Sequence, residues 1–181
     1  MRIDLLASHA RRRPAYFENR LVGFHRPDYD DIGFRYNDSV DLSQVVGMSH
    51  CQYAGLTWGE LVGDETAGRP PGLKRLDCCL QELADNPSYY LTRDVKKDWV
   101  FFKAGNEYFV ANGHHRTVVG RLVLELNRLP TTVYGAQVME VDPANWLQAQ
   151  HEGPRAARGR NWRVPEKLVF DVGCDYGRVW P

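Results

Sequence analysis

The sequence predicts an α/β (α+β) protein, and three stretches carry the prediction. In LKRLDCCLQELADNP, Leu73, Leu76, Cys79, Leu80 and Leu83 recur at helical spacing, and Asn86-Pro87 stops the run. In WVFFKAGNEYFVANG, Trp99–Phe102 and Tyr108–Val110 are aromatic and β-branched runs joined by a turn around Gly105, which makes a hairpin. Thr117–Leu129 then carries Val118, Leu122, Leu126 and Leu129 on one helical face, Pro130 ends it, and TTVYGAQVMEV (131–141) alternates like a strand. The order is helix, hairpin, helix, strand.

Size and composition narrow the classes. The 181 residues fit one domain with extensions, and 43% hydrophobic residues support a core without covalent staples. The net charge is zero, so any nucleic-acid or membrane contact has to come from a local patch. No apolar run approaches the roughly 18 residues of a membrane span. The opening MRIDLLASHARRRPAYF places its basic residues after its apolar ones, the reverse of a secretory leader. A cytoplasmic protein with no membrane insertion is expected. Cys51, Cys78, Cys79 and Cys174 form no CxxC pair, so core or incidental thiols are expected in place of a zinc site or a disulfide framework.

Flanking segments differ in character. Residues 1–45 read as an N-terminal extension: a short helix near 3–12, a basic knot at Arg11, Arg12 and Arg13, then an acidic stretch through Asp28, Asp30, Asp31, Asp38 and Asp41, with no other firm secondary structure. Residues 46–142 read as the main domain. Within it Gly59, Gly63, Gly68, Pro70, Pro71 and Gly72 punctuate a long loop carrying Glu60, Asp64, Glu65 and Arg69. Residues 143–181 begin as a short helix and become a basic C-terminal extension packing on the same domain, with Trp146 and Trp162 interleaved.

The chemistry concentrates in YFVANGHHRTVVGRL (108–122). A helix start leaves backbone N–H groups unpaired and carries partial positive charge. Gly113 permits a sharp turn and a close ligand approach. Arg116 offers a planar fork for phosphate oxygens. With Thr117 they make an anion site, for which a phosphate is the expected ligand. His114 and His115 either donate to that phosphate or serve as general acid or base. The competing structural reading has His114 capping the helix and Arg116 pairing with a surface carboxylate.

The pattern of strand, Asn112-Gly113, His115-Arg116 and helix resembles the ParB/sulfiredoxin superfamily over residues 56–142. The resemblance implies a mixed sheet with packed helices, phosphates held at Gly113, His115, Arg116 and Thr117, and ATP or CTP with Mg²⁺ as ligands. His114 stands where sulfiredoxins have their cysteine nucleophile, which disfavours sulfinic acid reduction. Residues 143–181 lack two consecutive amphipathic helices, which argues against a chromosome-segregation clamp. A short free-standing domain of this kind is similar to the plasmid fertility-inhibition proteins of the oncogenic-suppression type. That likeness implies an ATPase with sequence-independent DNase activity that blocks T-DNA or plasmid transfer, with a type IV secretion or relaxosome component as partner. The alternatives are a non-catalytic nucleotide-binding module acting by docking, and a small-molecule kinase on the same fold.

In the hydrolase reading, His114 or His115 orients or deprotonates water, Glu60 or Glu65 supplies a catalytic carboxylate, and Asp64 holds Mg²⁺. Plain solubility of an exposed loop is the bland account of those carboxylates. The basic segment Arg155, Arg158, Arg160 and Arg163, with Trp162 to stack on an unpaired base, is either a DNA contact or a flexible basic connector. Replacing those four arginines by glutamine should flatten the slope of log affinity against log salt by about 0.9 per lost duplex-phosphate contact. A salt titration on a labelled oligonucleotide checks this, and an unchanged slope would place DNA elsewhere.

Overall fold

A computed structural model of the chain describes residues 14–24, 32–63 and 71–152. The expected helix near 3–12, Asp64, Glu65 and the arginine-rich segment lie outside the described residues. In chain order the elements are β1 (Val22–Gly23), β2 (Ile32–Asp41), β3 (Val45–Met48), α1 (Trp58–Val62), α2 (Leu76–Asp85), β4 (Val100–Ala104), β5 (Glu107–Asn112), α3 (His114–Leu126), β6 (Thr132–Val141) and α4 (Pro143–Glu152). Short 3-10 turns cover Ala15–Glu18 and Leu42–Gln44.

The six strands form one mixed sheet in the order β1-β3-β5-β4-β6-β2. β1–β3, β3–β5 and β4–β6 run parallel, whereas β4–β5 and β6–β2 are antiparallel. The α/β class and the mixed sheet are therefore present. The 105–106 turn closes the β4–β5 hairpin, and the register pairs Phe102 with Phe109.

Both faces of the sheet are covered, which explains the nearly continuous apolar run at 99–102. Phe101, Val110 and Val138 join the larger core with Trp58, Leu61, Leu76, Leu83, Val118 and Leu122 from α1, α2 and α3. Their strand neighbours Val100, Phe102, Phe109 and Met139 face the other way and join Phe24 and Trp146. This is the period of two expected of a strand. Trp146 of α4 caps that second face, its ring centroid 4.4 Å from Phe109 and 5.2 Å from Phe24.

Three elements depart from the sequence expectation. β2 occupies a region expected to be irregular. Among the described residues it is an edge strand paired only with β6, so polar Asn37, Asp38 and Ser39 sit on it without cost, and two irregularities in register break its alternation. α1 lies inside the glycine-punctuated stretch expected to be a loop. Thr57 and Glu60 form a reciprocal capping box that starts it. α3 begins at His114 and ends at Leu126, in place of 117–129. Arg128 turns the chain out with φ 55°, before Pro130 is reached.

Two buried cations tie segments together. The Arg121 guanidinium lies 3.8 Å from the Tyr16 ring centroid and 4.5 Å from that of Trp58, and its Nε pairs with Glu125 at 3.1 Å. It joins the 15–18 turn and α1 to α3. Lys96 Nζ donates to the carbonyls of Thr92 (2.8 Å), Asp94 (3.3 Å) and Tyr134 (2.8 Å), and its N–H donates to the Gly135 carbonyl (2.7 Å). That lysine fixes the 92–98 loop onto β6, and the loop delivers Trp99 to the site described next. Lys96→Met keeps the apolar stem but removes three hydrogen bonds to carbonyls. It should lower unfolding free energy by about 2–4 kcal/mol, measured by urea denaturation. A loss below the error of the melt would show the ammonium to be dispensable.

Candidate functional site

The site is built where β5 turns into α3. The Asn112 side chain accepts from the Gly113 N–H at 2.9 Å, and Gly113 adopts a left-handed conformation (φ 84°, ψ 30°). Only glycine takes that geometry cheaply, and a Cβ there would collide with the Trp99 ring. Trp99 is fully buried, and its Nε1 donates to Thr117 Oγ1 at 2.9 Å. The Thr117 hydroxyl donates on to the Gly113 carbonyl at 3.0 Å, which also receives the Thr117 N–H at 2.9 Å. Gly113 therefore opens α3, and no side chain caps it. The N–H groups of His114, His115 and Arg116 precede the first intrahelical bond.

β3 runs parallel to β5, so the turn after β3 emerges beside the start of α3. Ser49 anchors that turn: its N–H donates to the Val110 carbonyl at 3.0 Å and its hydroxyl to the Ala111 carbonyl at 3.1 Å. Ser49 Oγ also lies 3.2 Å from His114 Nε2. His50 stacks on Tyr53, with centroids 4.2 Å apart, and meets His114 edge-on at 5.5 Å. Tyr53 Oη lies 3.2 Å from His115 Nε2 and accepts from the Lys74 backbone N–H just before α2. Three imidazoles and a phenol thus line one wall beside the helix start.

Burial holds the imidazoles neutral. It pushes His114 down to about 3, with further repulsion from His50 and His115 and a partial offset from the Val110 carbonyl. His115 falls to about 4 through burial, then Arg75 and His50. His50 is lowered by burial and by Lys74. Among the described residues, no carboxylate contributes to any of the three shifts.

The sequence-selected residues separate here. Gly113, His114 and His115 come together. Thr117 is fully buried and supports the turn from behind. Arg116 turns its fork toward the protein: Nη1 donates to Tyr89 Oη and the Lys97 carbonyl, both at 3.1 Å, and Nη2 donates to the Asp98 carbonyl at 3.2 Å. Those bonds engage three of its five N–H donors. Glu60 accepts from the Thr57 N–H at 2.7 Å within the α1 cap. Asp64, Glu65, Arg155, Arg158, Arg160, Trp162 and Arg163 lie outside the described residues. Among the described residues, no group of three or more His, Cys, Asp or Glu has the arrangement of a metal site.

Sequence reasoning missed Ser49, His50 and Tyr53. Their one signal is a polar SHCQY directly after the apolar VVGM, and no spacing rule links it to a helix start more than sixty residues later. Cys51 and Cys78 are exposed, and burial raises the Cys79 thiol to about 11. That shift is opposite to the one that activates a thiolate nucleophile. No protein-family model, curated protein or solved structure matches the chain.

Two outcomes follow from this geometry. Histidines whose folded pKa lies below the unfolded value bind fewer protons when folded. Stability is therefore full above pH 6.5 and is lost as pH falls toward 4 and 3. His114 alone contributes a slope of at most about 1.4 kcal/mol per pH unit in that window, and His115, being more exposed, contributes less. Melting temperatures between about pH 7 and pH 4 check the sign, and a flat profile would contradict neutral burial. Separately, Gly113→Ala should cost more than about 2 kcal/mol, because the left-handed penalty of about 1–2 kcal/mol adds to the collision with Trp99. Equilibrium unfolding measures it, and wild-type stability in the variant would remove the constraint.

Proposed function

We propose that the chain is a nucleotide-binding protein of the ParB/sulfiredoxin type, holding the phosphates of ATP or CTP, with their Mg²⁺, at the start of α3. One observation carries this reading: an uncapped helix start, opened by a left-handed glycine, lies beside a wall of imidazoles with no carboxylate, among the described residues, in the groups that shift them. Partial positive charge and N–H groups that precede the first intrahelical bond favour an anion there. His50 adds a donor, because its Nδ1 accepts from the Gln52 N–H at 3.3 Å and its proton therefore resides on Nε2. Arg116 serves this site indirectly, by fixing the 97–98 loop against α3.

Binding with little turnover is the favoured form. Imidazoles held near 3 and 4 are weak proton acceptors, and Glu60 is engaged in a helix cap. The protein then acts as a nucleotide-loaded module that docks on a DNA-transfer component, in the manner of the fertility-inhibition proteins it resembles. The hydrolase reading, ATPase with sequence-independent DNase, draws its support from the contact between Tyr53 and His115, two groups able to exchange a proton near the start of α3.

A parallel thermal-shift series with ATP, CTP and GTP, each with and without Mg²⁺, tests the proposal. Stabilisation by at least one triphosphate is expected, amounting to about 2.7 kcal/mol at a hundredfold excess over Kd. No shift with any of the three would overturn it. Mg²⁺-dependent release of phosphate, abolished by His115→Ala in a folded variant, would move the assignment to the hydrolase.

A further inference from the structure

We propose that this site takes its anion together with protons: a dianionic phosphate entering at the start of α3 is matched by imidazolium forms of His50 and His115, so pH sets its affinity. The inference rests on the nucleotide-binding reading and specifies the charge class of ligand the site accepts.

The geometry supplies the argument. His50, His114 and His115 converge on Tyr53 from two elements, the turn after β3 and the start of α3, with ring centroids between 4.2 and 6.1 Å apart. The Arg116 guanidinium is turned to Tyr89, Lys97 and Asp98; among the described residues, the groups facing the rings are Ser49 and Tyr53 from the turn and Lys74 and Arg75 from the approach to α2. These are cationic or uncharged at neutral pH. Glu82, further along α2, influences Cys79 and Tyr90 and none of the three imidazoles. Asp98 presents its backbone carbonyl to Arg116.

Without a counter-ion, a proton on any of these rings is opposed by burial and by its cationic neighbours, so the unliganded site is neutral. A dianion reverses both effects. It supplies the missing counter-charge within hydrogen-bonding reach, and each ring that faces it becomes more basic. Linkage makes this reciprocal: if the anion promotes protonation, protonation promotes the anion. His50 and His115 are the rings positioned to respond. His114 is the most buried of the three and is held between Ser49 Oγ and the Val110 carbonyl. A phosphodiester carries one negative charge and provides less of this compensation. The site should therefore prefer a terminal phosphate or another dianion to a nucleic-acid backbone.

Isothermal titration calorimetry on the full chain tests this, with sodium sulfate and ATP as probes in two buffers of different ionisation enthalpy. Sulfate stays doubly charged from about pH 5.5 to 8, the range in which histidine changes charge, so any proton taken up with it belongs to the protein. The expected result is net proton uptake with sulfate. Its affinity should rise for each unit the pH is lowered by up to about tenfold per coupled proton, so by several-fold to about a hundredfold with two. His50→Gln and His115→Gln should each flatten that dependence. If either variant is unfolded, the wild-type enthalpies in the two buffers still decide. ATP binding combined with sulfate binding that shows no proton uptake would overturn this inference and leave the nucleotide-binding reading standing. Failure of both anions to bind would overturn the two together.

Discussion

Burial of Trp99 against Gly113 is the constraint on which the rest of the architecture turns. The indole fills the space that any side chain at 113 would need, so only glycine lets β5 reverse into α3 at that point. The same indole reaches Thr117 and, through that hydroxyl, the Gly113 carbonyl, so the first turn of α3 is fixed from inside the core. Tyr89, Tyr90 and Phe101 pack around the ring and set its position. A backbone conformation reserved for glycine is thereby maintained by an aromatic cluster. The result is a helix start whose orientation is determined by packing.

The electrostatics of the wall follow from what is missing as well as from what is present. Neutral histidines are tolerated in protein interiors when their ring nitrogens find partners, and Ser49, Tyr53 and the Val110 carbonyl provide them. Structural histidines are commonly paired with a carboxylate, which would raise their basicity. Here Lys74 and Arg75 stand nearby in that role's place, and they lower it. The arrangement keeps positive potential around a set of uncharged rings. Under the proposed function, discrimination among anions would rest on the N–H groups of His114, His115 and Arg116, since that of Gly113 is taken by the Asn112 side chain.

Much of the fold was legible because its signals are local. The 73–83 stripe, the hairpin turn at Gly105 and the alternation from 132 to 141 each report the face they bury. β2 was not legible, because an edge strand half exposed to solvent needs little apolar alternation and its register is twice interrupted. α1 was hidden by Gly59 and Gly63, although Thr57 and Glu60 announce its cap. Part of the site was legible for the same reason: Gly113 and the two histidines are contiguous. Ser49, His50 and Tyr53 were not, since their place beside α3 depends on the parallel pairing of β3 with β5. Arg116 illustrates the opposite difficulty. Its position suggested a phosphate fork, and the loop carbonyls of Lys97 and Asp98 occupy that fork because the 92–98 segment is anchored by Lys96.

The central claim is that anions enter at the start of α3 and meet His50 and His115 there. Backbone amide and imidazole NMR shifts, followed while ATP is added to uniformly labelled protein, test it most directly. The account predicts that the largest amide changes fall on Gly113, His114, His115 and Arg116. It also predicts ring-nitrogen changes at His50 and His115 that report a gained proton. Saturable binding with those amides and rings unmoved, and the changes gathered elsewhere in the chain, would contradict it.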